Sequence, residues 1–313
     1  MLNRRYIRIK VLQALYSFYY DEAKDMALKE KDLIKSIDNI YSLYVYLMVL
    51  LKEIRRQAER IIEERKKKHL PSADDLNPNL KFVSNTIFRM LADSKQLTAE
   101  VKKRSISWQE DDSPIIKELF RNISGSAEYA AYMNEPEVSF EADRQFMSRI
   151  YKKFMSENES LKHHLFEKNI HWAGDYVLAN LSVVKTIEGA DEKGGLQLMP
   201  VFKEDDDKDF MLDLYRKTIM SDTDNIKLIS HKMSNWEPDR LASIDFLLLK
   251  MAITELMNFP AIPVKVTLNE YIEISKLYSS PKSNSFINGI LDAIVQDLNK
   301  KKKILKTGRG LLE

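Results

Sequence analysis

The stretch from Ile262 to Leu291, IPVKVTLNEYIEISKLYSSPKSNSFINGIL, decides the fold. Thr267 and Glu270 stand at the T-x-x-E spacing of a capping box, in which the two side chains satisfy backbone N–H groups that a helix start leaves open. This predicts a helix that starts at Thr267 and carries Glu270, Ile274 and Lys276. A basic Pro-Ser loop follows, and Ser283 is expected to cap a last helix. Phe286 then falls in that helix's first turn, next to Lys282 and beside backbone N–H groups whose dipole favours a phosphate. A ring in that setting suits an unstacked RNA base. It can also serve as a hydrophobic staple.

Working outward, the chain opens with RRYIRIKVLQALYSFYY over Arg4–Tyr20. Ile7, Val11, Ala14, Leu15 and Phe18 recur at helical spacing, with Arg4 and Arg8 one turn apart and Arg5 beside them. A longer helix is predicted next. Leu33, Ile37, Ile40, Tyr44, Leu47, Leu51, Ile54, Ala58 and Ile61 alternate steps of four and three, a seam suited to a coiled coil or a central bundle helix. Tyr41, Tyr46, Met48 and Val49 add apolar positions off the seam, which favours burial on several sides. Pro71 closes it.

A repeat with a period of 64 residues relates Phe82, Phe146 and Phe210, and also Trp108, Trp172 and Trp236. Asp111, Asp175 and Asp239 each follow a tryptophan by three, and Tyr151 and Asp143 recur as Tyr215 and Asp207. Each unit reads as a helical hairpin followed by a Trp-x-x-Asp entry into a third helix, with the aspartate capping or favouring that helix's N-terminus. The tryptophans are expected in the core. The stretch from Gly189 to Asp209, with GADEKGG and EDDDKD, reads as the main linker.

Composition agrees with a helical protein. With 44% hydrophobic residues and only 8 glycines and 9 prolines in 313 residues, long helices with short connections are expected rather than a β-rich or Rossmann-type fold. The absence of cysteine excludes disulfides and thiolate metal sites and suits the cytoplasm. No signal-peptide h-region is visible, and the longest uncharged apolar run, Asn39 to Leu51, is too short for a bilayer, so no membrane role is expected. Arg4, Arg5, Arg8 and Lys10 give the first 20 residues a charge of +4, and Lys300 to Lys303, Lys306 and Arg309 make the last 17 residues equally basic. Basic ends on an acidic middle fit local contact with a polyanion, while the C-terminal lysines also fit a solubilising tail.

Taken together, these stretches resemble the NusB family. IPVKVTLNEYIEISK is similar to the family pattern I/V-P-x-K-V-x-I-N-E-x-x-E-L-A-K, with Leu268 and Ser275 as departures, and SFINGILD is similar to K-F-V-N-G-V-L-D, with Ser285 for lysine. FMLDLYRKTIM and NIKLISHKM resemble the central helix pair, and WEPDRLASIDFLLLKMAITEL the helix that ends in a Glu-Leu pair, here Glu255 and Leu256. The resemblance implies an all-α bundle and a transcription antitermination factor that binds single-stranded boxA-type RNA together with NusE, a small-subunit ribosomal protein, in the elongation complex. It implies RNA contacts at Arg4, Arg5, Arg8, Tyr16, Lys282 and Phe286, and partner contacts at Asp239 and Asp245. Asp245 is expected to face solvent. Tyr6 and Ile7 interrupt the family's arginine cluster. The start of the first helix is expected near the start of the last.

The expected organisation is a first core helix at 1–20, an inserted helical region with hairpin repeats at 21–205, a C-terminal core at 206–300 and a basic tail at 301–313. No P-loop, dinucleotide motif or cysteine nucleophile is visible, so no enzyme and no cofactor is expected. His163, Glu167 and His171 share a predicted helical face but read as solvated rather than metal-binding. The alternative function is a helical protein-interaction scaffold without significant RNA binding.

Overall fold

Local signals start and stop these helices. The computed structural model describes residues 1–136, 139–232 and 243–311, apart from the Lys282 side chain. The Asn3 side chain accepts from the Tyr6 N–H at 3.0 Å and opens α1 (Arg4–Tyr20). α2 spans Met26–Lys66. Then follow α3 (Ala73–Leu76), α4 (Thr86–Asp93), α5 (Lys95–Arg104), α6 (Ser113–Ser124), α7 (Ala127–Asn134), α8 (Phe140–Phe154), α9 (Glu159–Lys168) and α10 (Tyr176–Glu188). The chain continues through α11 (Asp207–Met220), α12 (Asp222–Lys232), α13 (Ser243–Asn258), α14 (Val264–Tyr278) and α15 (Pro281–Lys300). Among the described residues there is no strand, only the isolated bridges Leu2–Phe202 and Asp191–Gly195. The fold is all-α, as the glycine-poor composition predicts.

Two compact units divide the chain at residues 36/37 and 200/201. Sequence patterning alone places the junctions at 20/21 and 205/206. The difference arises because the first turns of α2 pack with the C-terminal helices: Arg216 forks onto Glu30 with two 2.6 Å bonds, and the Tyr215 hydroxyl donates to the Met26 carbonyl at 3.2 Å. Neither partner can be chosen from a local pattern.

The first unit, Met1–Ser36 with Val201–Glu313, is built around α13. Leu247 to Leu256 are all buried, the run being mostly apolar and its polar members Lys250, Thr254 and Glu255 each bonded to a partner. Helices α1, α11, α12, α14 and α15 pack around it. The start of α14 differs from expectation. Pro263 is its N-cap, so the helix begins one turn before Thr267. Thr267 lies fully buried inside the helix, donating to Glu255 at 2.8 Å rather than capping. Likewise Ser280, not Ser283, caps α15, with Pro281 at its first position. Proline's fixed φ suits the first helical residue, which places the α15 start at Pro281.

The second unit, Ile37–Pro200, holds the long seam. Ile40, Tyr44, Leu47, Leu51 and Ile54 are fully buried. Trp108 and Trp172 both pack against Tyr46, with ring centroids 4.4 and 5.4 Å away. By composition α2 is long and apolar enough to cross a membrane, but 67% of that window is buried within the protein.

Helices follow the 64-residue period. α5 and α9 are offset by that interval at both ends, and α6 and α10 stop against Gly125 and Gly189, both at φ −84° and ψ 0°. Tyr151 and Tyr215 are each fully buried in their own units. The Trp-x-x-Asp reading holds for position and not for a capping bond in the second copy, and shifts by one residue in the first. Asp111 is exposed, and the next residue, Asp112, accepts the Gln109 N–H at 2.6 Å. Asp175 takes the N-cap position of α10 without a side-chain capping bond. Trp236 and Asp239 lie outside the described residues. The Gly189–Asp209 linker is pinned in part: Leu196 and Leu198 are buried, and Gly195 turns at φ +72°.

Candidate nucleic-acid interface

Arg8 is the anchor of α1. Its guanidinium is 2% exposed and forks onto Glu255 of α13, itself 0% exposed, through two 2.7 Å bonds. The Glu255 carboxylate also accepts from Thr267 at 2.8 Å and Tyr271 at 3.2 Å, so both oxygens carry two donors. Burial opposes the Arg8 charge, but Glu255 more than offsets it and the pKa is raised. Burial also pushes the Tyr271 phenol well up. The expectation that Arg8 touches RNA is therefore corrected: its donors are turned into the core, where they fix the rotation of α1 against α13 and α14.

Arg5 and Arg4 face outward from that anchor. Arg5 is 40% exposed and forks onto Glu270 of α14 at 2.8 and 2.9 Å, bonds that raise its pKa. Arg4, 31% exposed, bonds Asp207 at 3.0 Å and Asp206 at 2.8 Å and lies over the Phe210 ring. These two rim an open groove of about 560 Å³ with Asn3, Ile262, Val266 and Arg309. A fork on a carboxylate fixes a guanidinium's plane while leaving its remaining N–H edge for a second oxygen ligand.

The remaining sequence-predicted residues lie on the later part of α1 and in the first two turns of α15. Arg5 meets Glu270 and Gln13 meets the Tyr278 hydroxyl at 3.3 Å, and both pairs are 265 residues apart. α1 and α14 therefore run side by side in the same direction. Because α15 starts where α14 ends, it is the middle of α1, not its start, that lies level with the start of α15. Eight residues of helix separate the two levels, about 12 Å. One and two turns beyond Gln13, Tyr16 is 43% and Tyr20 58% exposed, with ring centroids 4.6 Å apart. Sequence reasoning missed Tyr20, although the i, i+4 tyrosine spacing in YSFYY signals the pair. Phe286 is half-buried in the second turn of α15 rather than the first, because the helix begins at Pro281. Lys282 is the second residue of that helix, ahead of its first backbone bond.

The expected partner face is corrected at Asp245, which is 2% exposed and accepts a hydrogen bond from the Ser279 hydroxyl at the end of α14. Position 245 lies in the first turn of α13, where a carboxylate suits the helix dipole, and the α14 terminus covers it. Asp239 lies outside the described residues. Asp245→Lys is thus expected to lower stability by roughly 2 kcal/mol or more, since the ammonium enters a closed site. A urea midpoint equal to that of wild type would contradict this burial. His163 and Glu167 form an exposed 3.2 Å pair on α9, but His171 lies beyond the helix in the following 3-10 turn. The three do not share a face.

Comparison with known proteins gives a consistent answer. The NusB family model matches residues 184–296. The transcription antitermination protein NusB of Salinibacter ruber is 38% identical over 142 residues, covering 43% of this chain and 89% of that protein. Its counterpart in Chloroherpeton thalassium is 41% identical over 106 residues, covering 34% of this chain and 50% of that one. The counterpart in Koribacter versatilis is 35% identical over 100 residues, covering 32% and 68% respectively. No solved structure matches the chain.

Proposed function

The chain belongs to the NusB family of transcription antitermination proteins, which are not enzymes, and from that premise we propose that it binds a boxA-type single-stranded RNA with a NusE-type ribosomal protein, supporting ribosomal RNA transcription in the cytoplasm. One observation carries the RNA reading: α1 presents arginines at one level and an exposed tyrosine pair about 20 Å further along. Phosphates are met at the first level by Arg4 and Arg5. Bases stack at the second on Tyr16 and Tyr20, with Phe286 and Lys282 at the neighbouring start of α15. Arg8 serves by holding α1 in place. NusE contact rests on the family alone, since Asp245 is withdrawn from solvent.

Fluorescence anisotropy with a boxA-type RNA at several salt concentrations tests this. Arg5→Ala is expected to lower the slope of log affinity against log salt by about 0.7. Tyr16→Ala is expected to cost about 1–3 kcal/mol with the slope almost unchanged. No salt-dependent binding by the wild type would leave the interaction scaffold as the better description.

A further inference from the structure

The basic C-terminal segment fits either polyanion contact or a solubilising tail by sequence, and in the structure it folds back onto the first unit. After α15, Lys302 takes φ +53° and turns the chain. The Lys306 ammonium then donates to the Phe259 carbonyl and the Thr307 N–H to the Pro260 carbonyl, each at 3.0 Å. Burial lowers the Lys306 pKa, with Glu255 partly opposing. Gly308 to Leu311 close a 3-10 turn in which Gly310 is buried so tightly that a Cβ would lie 1.8 Å from the Pro260 carbonyl oxygen. Only glycine fits there. The docked segment thus lies against Phe259–Ala261, which leads directly into α14.

The turn sets the exposed Arg309 into the groove lined by Arg4, Arg5, Arg8 and Glu270. Arg4, Arg5 and Arg8 each have a carboxylate partner; Arg309 has none among the described residues. The first turn of α14 borders the same groove. Its N-cap Pro263 offers no side-chain cap, and the first backbone bond runs from the Thr267 N–H to Pro263. The N–H groups of Val264 to Val266 therefore lack intrahelical acceptors. Three neutralised arginines position the groove, and the fourth supplies positive charge with no counter-ion among the described residues.

We propose that the Gly308–Leu311 turn is part of the RNA interface, holding Arg309 to take a phosphodiester of single-stranded RNA between Arg4, Arg5 and the first turn of α14. This inference rests on the RNA-binding reading above. It assigns a phosphate contact to a segment outside the motifs that carry the family resemblance.

Three full-length variants test it in the same anisotropy titration. Arg309→Ala is expected to weaken binding roughly three- to tenfold at low salt and to lower the slope by about 0.7. Gly310→Ala keeps every charge yet undocks the turn, and is expected to match Arg309→Ala. Lys300→Ala removes one charge from the exposed end of α15 and is expected to match wild type. If wild type binds and Arg309→Ala equals it in affinity and slope, the subsite is overturned and the RNA reading stands. Equal losses in Arg309→Ala and Lys300→Ala would also overturn it, as a general charge effect. Wild type without salt-dependent binding overturns both.

Discussion

Glu255→Ala is expected to destabilise the first unit by about 3–5 kcal/mol, because the 2% exposed Arg8 is left charged without its partner. Thr267 and Tyr271 lose their acceptor in the same step. Removing both charges with Arg8→Met and Glu255→Leu is expected to cost much less than the two single changes together, since an apolar pair of similar volume needs no desolvation of ions. Urea unfolding of the two singles and the double gives the coupling energy directly. Additive single effects below about 1 kcal/mol each would show that the pair does not anchor α1. RNA affinity offers a second measurement: loosening α1 is expected to weaken binding although neither side chain reaches the surface.

Leu47→Asp is expected to cost roughly 4 kcal/mol or more and to unfold the second unit under mild denaturation. Leu47 is fully buried in α2. The change removes a full leucine's apolar contacts and places a carboxylate at a fully buried position. Tyr46, the preceding residue, carries both Trp108 and Trp172 on its ring, so tryptophan fluorescence reports this region. A fluorescence transition at an unchanged urea concentration would contradict the burial.

Part of the candidate interface is legible in the amino-acid sequence. Arg4, Arg5 and Tyr16 are found on α1 with exposed or half-exposed side chains, as their spacing allows. Arg8 is not distinguishable by pattern from Arg4, one turn away, since only the distant Glu255 separates a buried anchor from a surface cation. Tyr20 and the two proline-led helix starts do carry local signals, in the tyrosine spacing of YSFYY and in Pro263 and Pro281 themselves. Thr267 and Glu270 fit a capping box in spacing, yet each side chain is engaged with another helix.

The sequence by itself determined the helical class, the extent of α1, the buried seam of α2, the 64-residue period and the family. All of these rest on spacing within a few turns or on continuous motif matches, where backbone geometry and side-chain periodicity act locally. Only the tertiary structure decided that α2 begins in one unit and runs into the other, that Asp245 is covered, and that Arg309 joins the groove. Those outcomes depend on pairings such as Arg8 with Glu255, 247 residues apart, or Gly310 with Pro260. Which side of a helix such a pairing buries is fixed by the neighbour that covers it, and a one-dimensional pattern does not name the neighbour.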